Sequence, residues 1–177
     1  NCLDRHLNTR GDKTAIIWEP NNPEEEAQHI TYKDLHERVC KMANVLTELG
    51  IKKGDRVCIY LPMIPELAVT MLACAKMGAV HSVIFAGFSA SAVASRVTDC
   101  EAKMIITSDG SYRGNKAIDL KGIIDEAVEK CPTVEKVLVV KRTNTEIKIK
   151  EGRDFLLDDN YPKASTEFVT KIMDAED

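Results

Sequence analysis

Residues 78–116 read GAVHSVIFAGFSASAVASRVTDCEAKMIITSDGSYRGNK. Two apolar, β-branched runs, residues 80–85 and 103–107, flank a helical segment that begins after Ser89. That pattern is a βαβ unit, whose strands are expected to be parallel and whose crossover is expected to be right-handed. Parallel strands end at one edge of the sheet, so loops 85–89 and 108–116 are expected to open on the same rim. Open α/β sheets bind their ligands at that rim. Gly87 brings a small backbone there, and Arg113 and Lys116 bring positive charge, a combination that suggests a phosphate-bearing ligand.

Working outward from this unit, residues 66–77 are apolar nearly all round, which predicts a helix buried between layers and closed by Gly78. Pro65 suits that helix's first turn, and Glu66 matches its dipole. Residues 56–61 form an apolar strand. Before it, Thr31 and Asp34 fit a capping box, with Ile30 and Leu35 as the accompanying staple. Leu35, Val39, Met42, Leu46 and Leu49 then recur at helical steps until Gly50, which suits a left-handed C-cap. At the start, residues 1–13 predict a short helix ending near Gly11, residues 14–18 a strand, and residues 20–28 an exposed turn.

On the other side, residues 118–130 predict an amphipathic helix stopped before Pro132, and residues 136–140 a further strand. The order β–α–β–α–β–α–β predicts an α/β fold: a doubly wound, mostly parallel sheet with flanking helices. Beyond Lys141 the pattern decays. Residues 146–150 alternate as a short exposed strand would, residues 151–161 read as loop, and residues 164–173 as a helix. The chain lacks an initiator Met and stops without a closing element, which reads as a piece of something longer.

The chain has 177 residues, 44% hydrophobic and 29% charged, with a net charge of −4. That balance argues against general affinity for nucleic acid, which needs a cationic face. No apolar run reaches membrane-spanning length. The six cysteines include no C-x-x-C pair. Cys40, Cys58 and Cys74 lie in apolar elements, where reduced thiols behave as small hydrophobes; no metal site is expected.

Several phosphate and nucleophile motifs are absent. Residues 110–116 (GSYRGNK) miss the spacing of the Walker loop, and Ala117 stands where its hydroxyl would be. There is no G-x-G-x-x-G. The serines around Gly87 fall at the wrong offsets for a nucleophile elbow, and Ser89 reads as a helix N-cap. His81 sits in an apolar strand, while His6, His29 and His36 have no spaced partner. For Arg113 and Lys116, residue type alone leaves two readings open: cations on an exposed loop, or a phosphate site.

Wording goes further than pattern. The block at residues 49–121, LGIKKGDRVCIYLPMIPELAVTMLACAKMGAVHSVIFAGFSASAVASRVTDCEAKMIITSDGSYRGNKAIDLK, resembles the AMP-forming acetyl-CoA synthetases of the acyl- and aryl-CoA ligase superfamily. NCLDRHL, GDKTAIIWE, HITYKDLHERVCKMANVL, VVKRT and EGRDF are similar too, so the likeness covers nearly the whole chain. It implies that residues 1–177 are a partial N-terminal large domain of an adenylating enzyme, without the C-terminal domain. The implied reaction converts acetate and ATP to acetyl-AMP and pyrophosphate, after which CoA displaces AMP. The implied CoA-binding residues are Gly87, Arg113, Gly114, Asn115 and Lys116. ATP and Mg2+ would be held by residues outside this chain, which carries no catalytic residue and is expected to be inactive alone.

The resemblance also implies a cytoplasmic enzyme whose other partner is the rest of the synthetase chain, with no nucleic acid or membrane. Propionyl- or acetoacetyl-CoA synthetase, or a structural fragment with no ligand, are the alternatives. Two departures stand out: Ala86 and Ala90 replace the usual Gly and Pro around Gly87-Phe88-Ser89, and Asn115 replaces a glycine.

Overall fold

The computed structural model describes residues 2–114, 116–174 and 176. A 3-10 turn, Asp4–His6, runs into α1, Leu7–Arg10. Strand β1, Thr14–Trp18, pairs antiparallel with β2, Gln28–Thr31, a strand that the sequence pattern did not announce. Helix α2, Tyr32–Glu48, starts on the expected capping box: Thr31 Oγ1 accepts from the Asp34 N–H, and the Thr31 N–H donates to Asp34 Oδ2. Ile30 and Leu35 are both buried in one cluster, as a staple requires.

Strand β3 is Arg56–Tyr60, α3 is Pro65–Met77, β4 is Val80–Val83 and α4 is Ala90–Asp99. Gly50 and Gly78 follow α2 and α3 at φ +91° and +76°, a left-handed backbone that suits glycine. Strand β5 is Met104–Ser108, followed by β6 (Gly110–Arg113) and β7 (Lys116–Asp119), then α5, Leu120–Val128. Strand β8 is Lys136–Val140, β9 is Asp154–Leu156 and α6 is Leu157–Asn160.

The main sheet has the order β4-β3-β5-β8-β9, every pair parallel. Alternate residues of one strand face opposite ways. Val57, Ile59, Met104, Ile106 and Leu138 join α2 and α3 on one face. Cys58, Tyr60, Ile105, Val137 and Val139 join α4 and α5 on the other. Both faces are covered, which is why the central strands read as unbroken apolar runs. The doubly wound expectation therefore holds.

Burial also keeps the core thiols inert. It pushes the Cys74 thiol up to about 12. The Cys58 thiol is raised as well, by burial first and then by Cys100, whose sulfur lies 3.5 Å away.

Five local expectations are corrected. Residues 108–116 are not a plain loop: Ser108 ends β5, residues 110–113 form the first arm of a β-hairpin and Lys116 opens its second. That second arm takes Ile118, so the following helix begins at Leu120, capped by Asp119. Residues 151–161 contain β9 and α6, because β8 offers an edge for pairing. Residues 146–150 alternate, with Ile147 inward and Ile149 exposed, but find no partner strand. Residues 164–173 form an extended strap, not a helix. Asn44 Nδ2 donates to the carbonyls of Ser165 and Glu167, and the Lys171 N–H donates to the Lys76 carbonyl. Four β-branched residues there disfavour a helix, and Val169 and Ile172 remain exposed. Finally, α3 lies on one face of the sheet with Met71 outward, so its apolar circumference is not wholly buried.

Candidate functional site

The winding of the sheet decides where its ligand edge lies. From β3 the chain crosses one way to β4 through α3. It then returns past β3 to β5 through α4, which packs on the opposite face. This reversal opens a crevice at the carboxyl ends of β3 and β5, the switch point of a doubly wound sheet. The hairpin β6–β7 leaves the sheet directly after β5. The Gly87 loop leaves after β4, two strands away, or about 10 Å at ordinary strand spacing. The two loops thus share a rim, as the βαβ reading requires.

In the hairpin, Gly110 pairs with Asp119, Ser111 with Ile118, Tyr112 with Ala117, and Arg113 with Lys116. The last pair places two cations opposite each other at the open end of the hairpin, an arrangement that is unfavourable without a counter-charge. Among the described residues, no ion pair or side-chain hydrogen bond engages either one, and both are exposed. Gly114 has φ +60° and open space around it. Asn115 lies outside the described residues. A doubly positive, solvent-facing turn of this kind suits a dianionic phosphate.

Gly87 is exposed, and a Cβ there would come within 2.5 Å of the Phe85 ring. Phe85 in turn meets Phe88 edge-on at 5.7 Å. The loop is held by the buried Tyr60 hydroxyl, which donates to the Phe88 carbonyl at 2.8 Å, and by Arg96 over the Phe88 ring. Ser89 Oγ accepts from the Ala92 N–H, so Ser89 is the helix cap that the sequence indicated.

Residues that the sequence reading did not single out organise the hairpin's surroundings. Arg142, just past β8, sits 5.0 Å from the Trp18 ring and 5.4 Å from the Tyr112 ring, and donates to Asn21 Oδ1. Arg142, Tyr112 and Asn21, with Pro23, Glu25 and Gly114, border an open cavity of about 540 Å³ beside the hairpin tip. Asp109, buried at the base of β6, receives backbone N–H groups from Gly110, Arg142, Thr143 and Thr145. The only sequence signal for it was a polar Ser-Asp pair ending an apolar strand.

The histidines gather nowhere near this rim as a catalytic set. His81 is half-buried on β4, and burial lowers its pKa. His36 faces Asp4 and Cys40 at the far side of α2. No group of three or more His, Cys, Asp or Glu side chains suits a metal ion among the described residues. Among these residues, too, no helix is long and apolar enough to cross a membrane.

The family model described as "AMP-binding enzyme" matches residues 3–173. Acetyl-coenzyme A synthetase of Alkalilimnicola ehrlichii is 53% identical over the whole chain, which spans 27% of that protein. The enzyme of the same name from Halorhodospira halophila is 54% identical over the same shares. The solved acetoacetyl-CoA synthetase from Streptomyces lividans superposes with a TM-score of 0.83 at 29% identity, over 94% of this chain and 25% of that one. The chain thus spans about a quarter of the length of these relatives.

Proposed function

Since the chain belongs to the AMP-binding enzyme family, we propose that residues 1–177 are the N-terminal part of the large domain of an AMP-forming acetate–CoA ligase. The whole enzyme would join acetate to ATP, releasing pyrophosphate, and pass the acetyl group from acetyl-AMP to CoA, releasing AMP. Adenylation turns a poor carboxylate leaving group into a good one, and CoA thiol attack follows. In this chain, Arg113, Gly114, Asn115 and Lys116 would grip the 3′-phosphate of CoA. Gly87 would let the neighbouring loop pass close to the same ligand.

The observation that carries this reading is the pair of cations facing each other, with no acidic partner among the described residues, on a hairpin at the sheet's switch point. Identity of 53–54% to acetyl-CoA synthetases, against 29% to an acetoacetyl-CoA synthetase, favours acetate as the acid. ATP and Mg2+ belong to the proposal only through the family. Among the described residues, no group of three or more His, Cys, Asp or Glu side chains suits the metal. A cytoplasmic setting, and the rest of the synthetase as the other partner, complete the reading.

Calorimetric titration of the chain with CoA and with dephospho-CoA tests it. CoA is expected to bind more tightly, and Arg113→Ala to erase the difference. Equal binding of the two ligands by the unmodified chain would refute the phosphate site and favour a purely structural segment.

A further inference from the structure

We infer that Asp109 is a positioning residue that sets the direction in which Arg113 is presented to its anion. The inference rests on the reading of the hairpin as the CoA phosphate site.

The hairpin is not part of the main sheet; it projects from the end of β5 and is held at its base. Asp109 occupies that base and is 1% exposed. Its Oδ1 accepts from the N–H groups of Gly110 at 2.7 Å, Arg142 at 2.7 Å and Thr143 at 3.1 Å. Its Oδ2 accepts from Thr143 and Thr145, each at 3.2 Å. One carboxylate thereby ties the first residue of β6 to the turn that follows β8.

The consequence reaches the tip through Arg142. With its backbone fixed by Asp109, the Arg142 guanidinium stacks between Trp18 and Tyr112. Tyr112 precedes Arg113 on β6, and successive strand residues point to opposite faces. Bracing Tyr112 on one face therefore fixes Arg113 on the other. The base tolerates little change: a Cβ on Gly110 would lie 2.5 Å from Thr143 Oγ1 and 2.9 Å from the Ile118 carbonyl. Asparagine at 109 would conserve shape but present an NH2 group to one set of these donors, since only a carboxylate accepts at both oxygens.

The test uses the full-length enzyme and three readouts: KM for CoA, KM for dephospho-CoA, and acetate-dependent ATP–pyrophosphate exchange, which needs no CoA. Asp109→Asn is expected to raise the KM for CoA severalfold, towards that for dephospho-CoA, and to leave the other two readouts unchanged. Gly110→Ala, which disturbs the same base without touching the carboxylate, is expected to give the same split. A soluble Asp109→Asn enzyme with the wild-type preference for CoA would overturn the inference. So would all three readouts failing together in both variants, or neither variant folding, since Asp109 would then serve stability alone. Arg113→Ala separates the layers: if it keeps the preference, the phosphate reading itself falls. If it loses the preference while Asp109→Asn keeps it, only the positioning role falls.

Discussion

Lys121→Met probes a cluster of charges that stitches α5 to the edge of the sheet. Lys121 is 1% exposed, and its Nζ lies 2.7 Å from Asp125 Oδ1, 2.9 Å from Asp154 Oδ2 and 3.1 Å from the Lys148 carbonyl. Arg153 closes the group by binding both Asp154 and Asp125. Methionine keeps most of the aliphatic stem and removes the charge, so packing loss is small. Removing one partner of a buried ion pair costs about 3–5 kcal/mol.

Here the lower end applies. Asp154 keeps Arg153 Nε at 2.6 Å and the Lys150 N–H at 2.9 Å, and Asp125 is a third exposed and can be hydrated. The expected loss is about 3 kcal/mol, of which the orphaned Lys148 carbonyl is a part. With a urea slope of about 2 kcal/mol/M, the unfolding midpoint falls by about 1.5 M at unchanged slope. Circular dichroism in urea measures it. In a double-mutant cycle, Asp154→Asn added to Lys121→Met should cost much less than it does alone. A loss below about 0.5 kcal/mol, the range of indifferent surface substitutions, would refute the argument that these charges act as a buried unit.

Acid stability should have two limbs. Burial would raise the Asp154 pKa, but Arg153, the Lys150 N–H and Lys121 outweigh it and hold the carboxyl below its usual range. A depressed carboxylate stabilises fully above its unfolded value of about 3.9, and that contribution is lost as pH falls through the folded value. His81, lowered by burial, has the same sign: its contribution is present above about pH 6.5 and fades as pH falls below it. Urea midpoints from pH 8 to pH 3 should therefore decline gently and then steeply, with His81→Gln removing only the gentle limb. Gly87→Ala should displace the exposed Phe85 ring at little cost in stability while weakening CoA binding. Rescue of binding by Phe85→Ala, measured by titration, would mean that Gly87 serves the ring and not the ligand.

The helices and central strands were legible in the residues because their causes are local or periodic. Thr31 and Asp34 cap α2 within one turn of chain, Gly50 and Gly78 suit left-handed backbone, and unbroken runs such as that in β5 follow from burial on both faces. Among the elements missed were strands that exist through a partner and not through a pattern of their own. Strand β2 exists because β1 lies beside it, and β9 because β8 left an edge open; residues 146–150 alternate equally well and found no strand to join.

The same division runs through the site. The sequence alone determined its charges, its glycines and its place after β5, since a parallel βαβ unit sends both loops to one rim. Tertiary structure decided that Arg113 and Lys116 face each other across a hairpin turn, that Phe85 lies over Gly87, and that Asp109 and Arg142 brace the hairpin from below and beside it. The contacts of Asp109 and Arg142 join residues about 30 to 120 positions apart, as when Asp109 receives the N–H of Arg142 or Arg142 reaches Asn21. No periodicity or cap encodes such a meeting; it arises only when the sheet has brought the ends of β5 and β8 side by side.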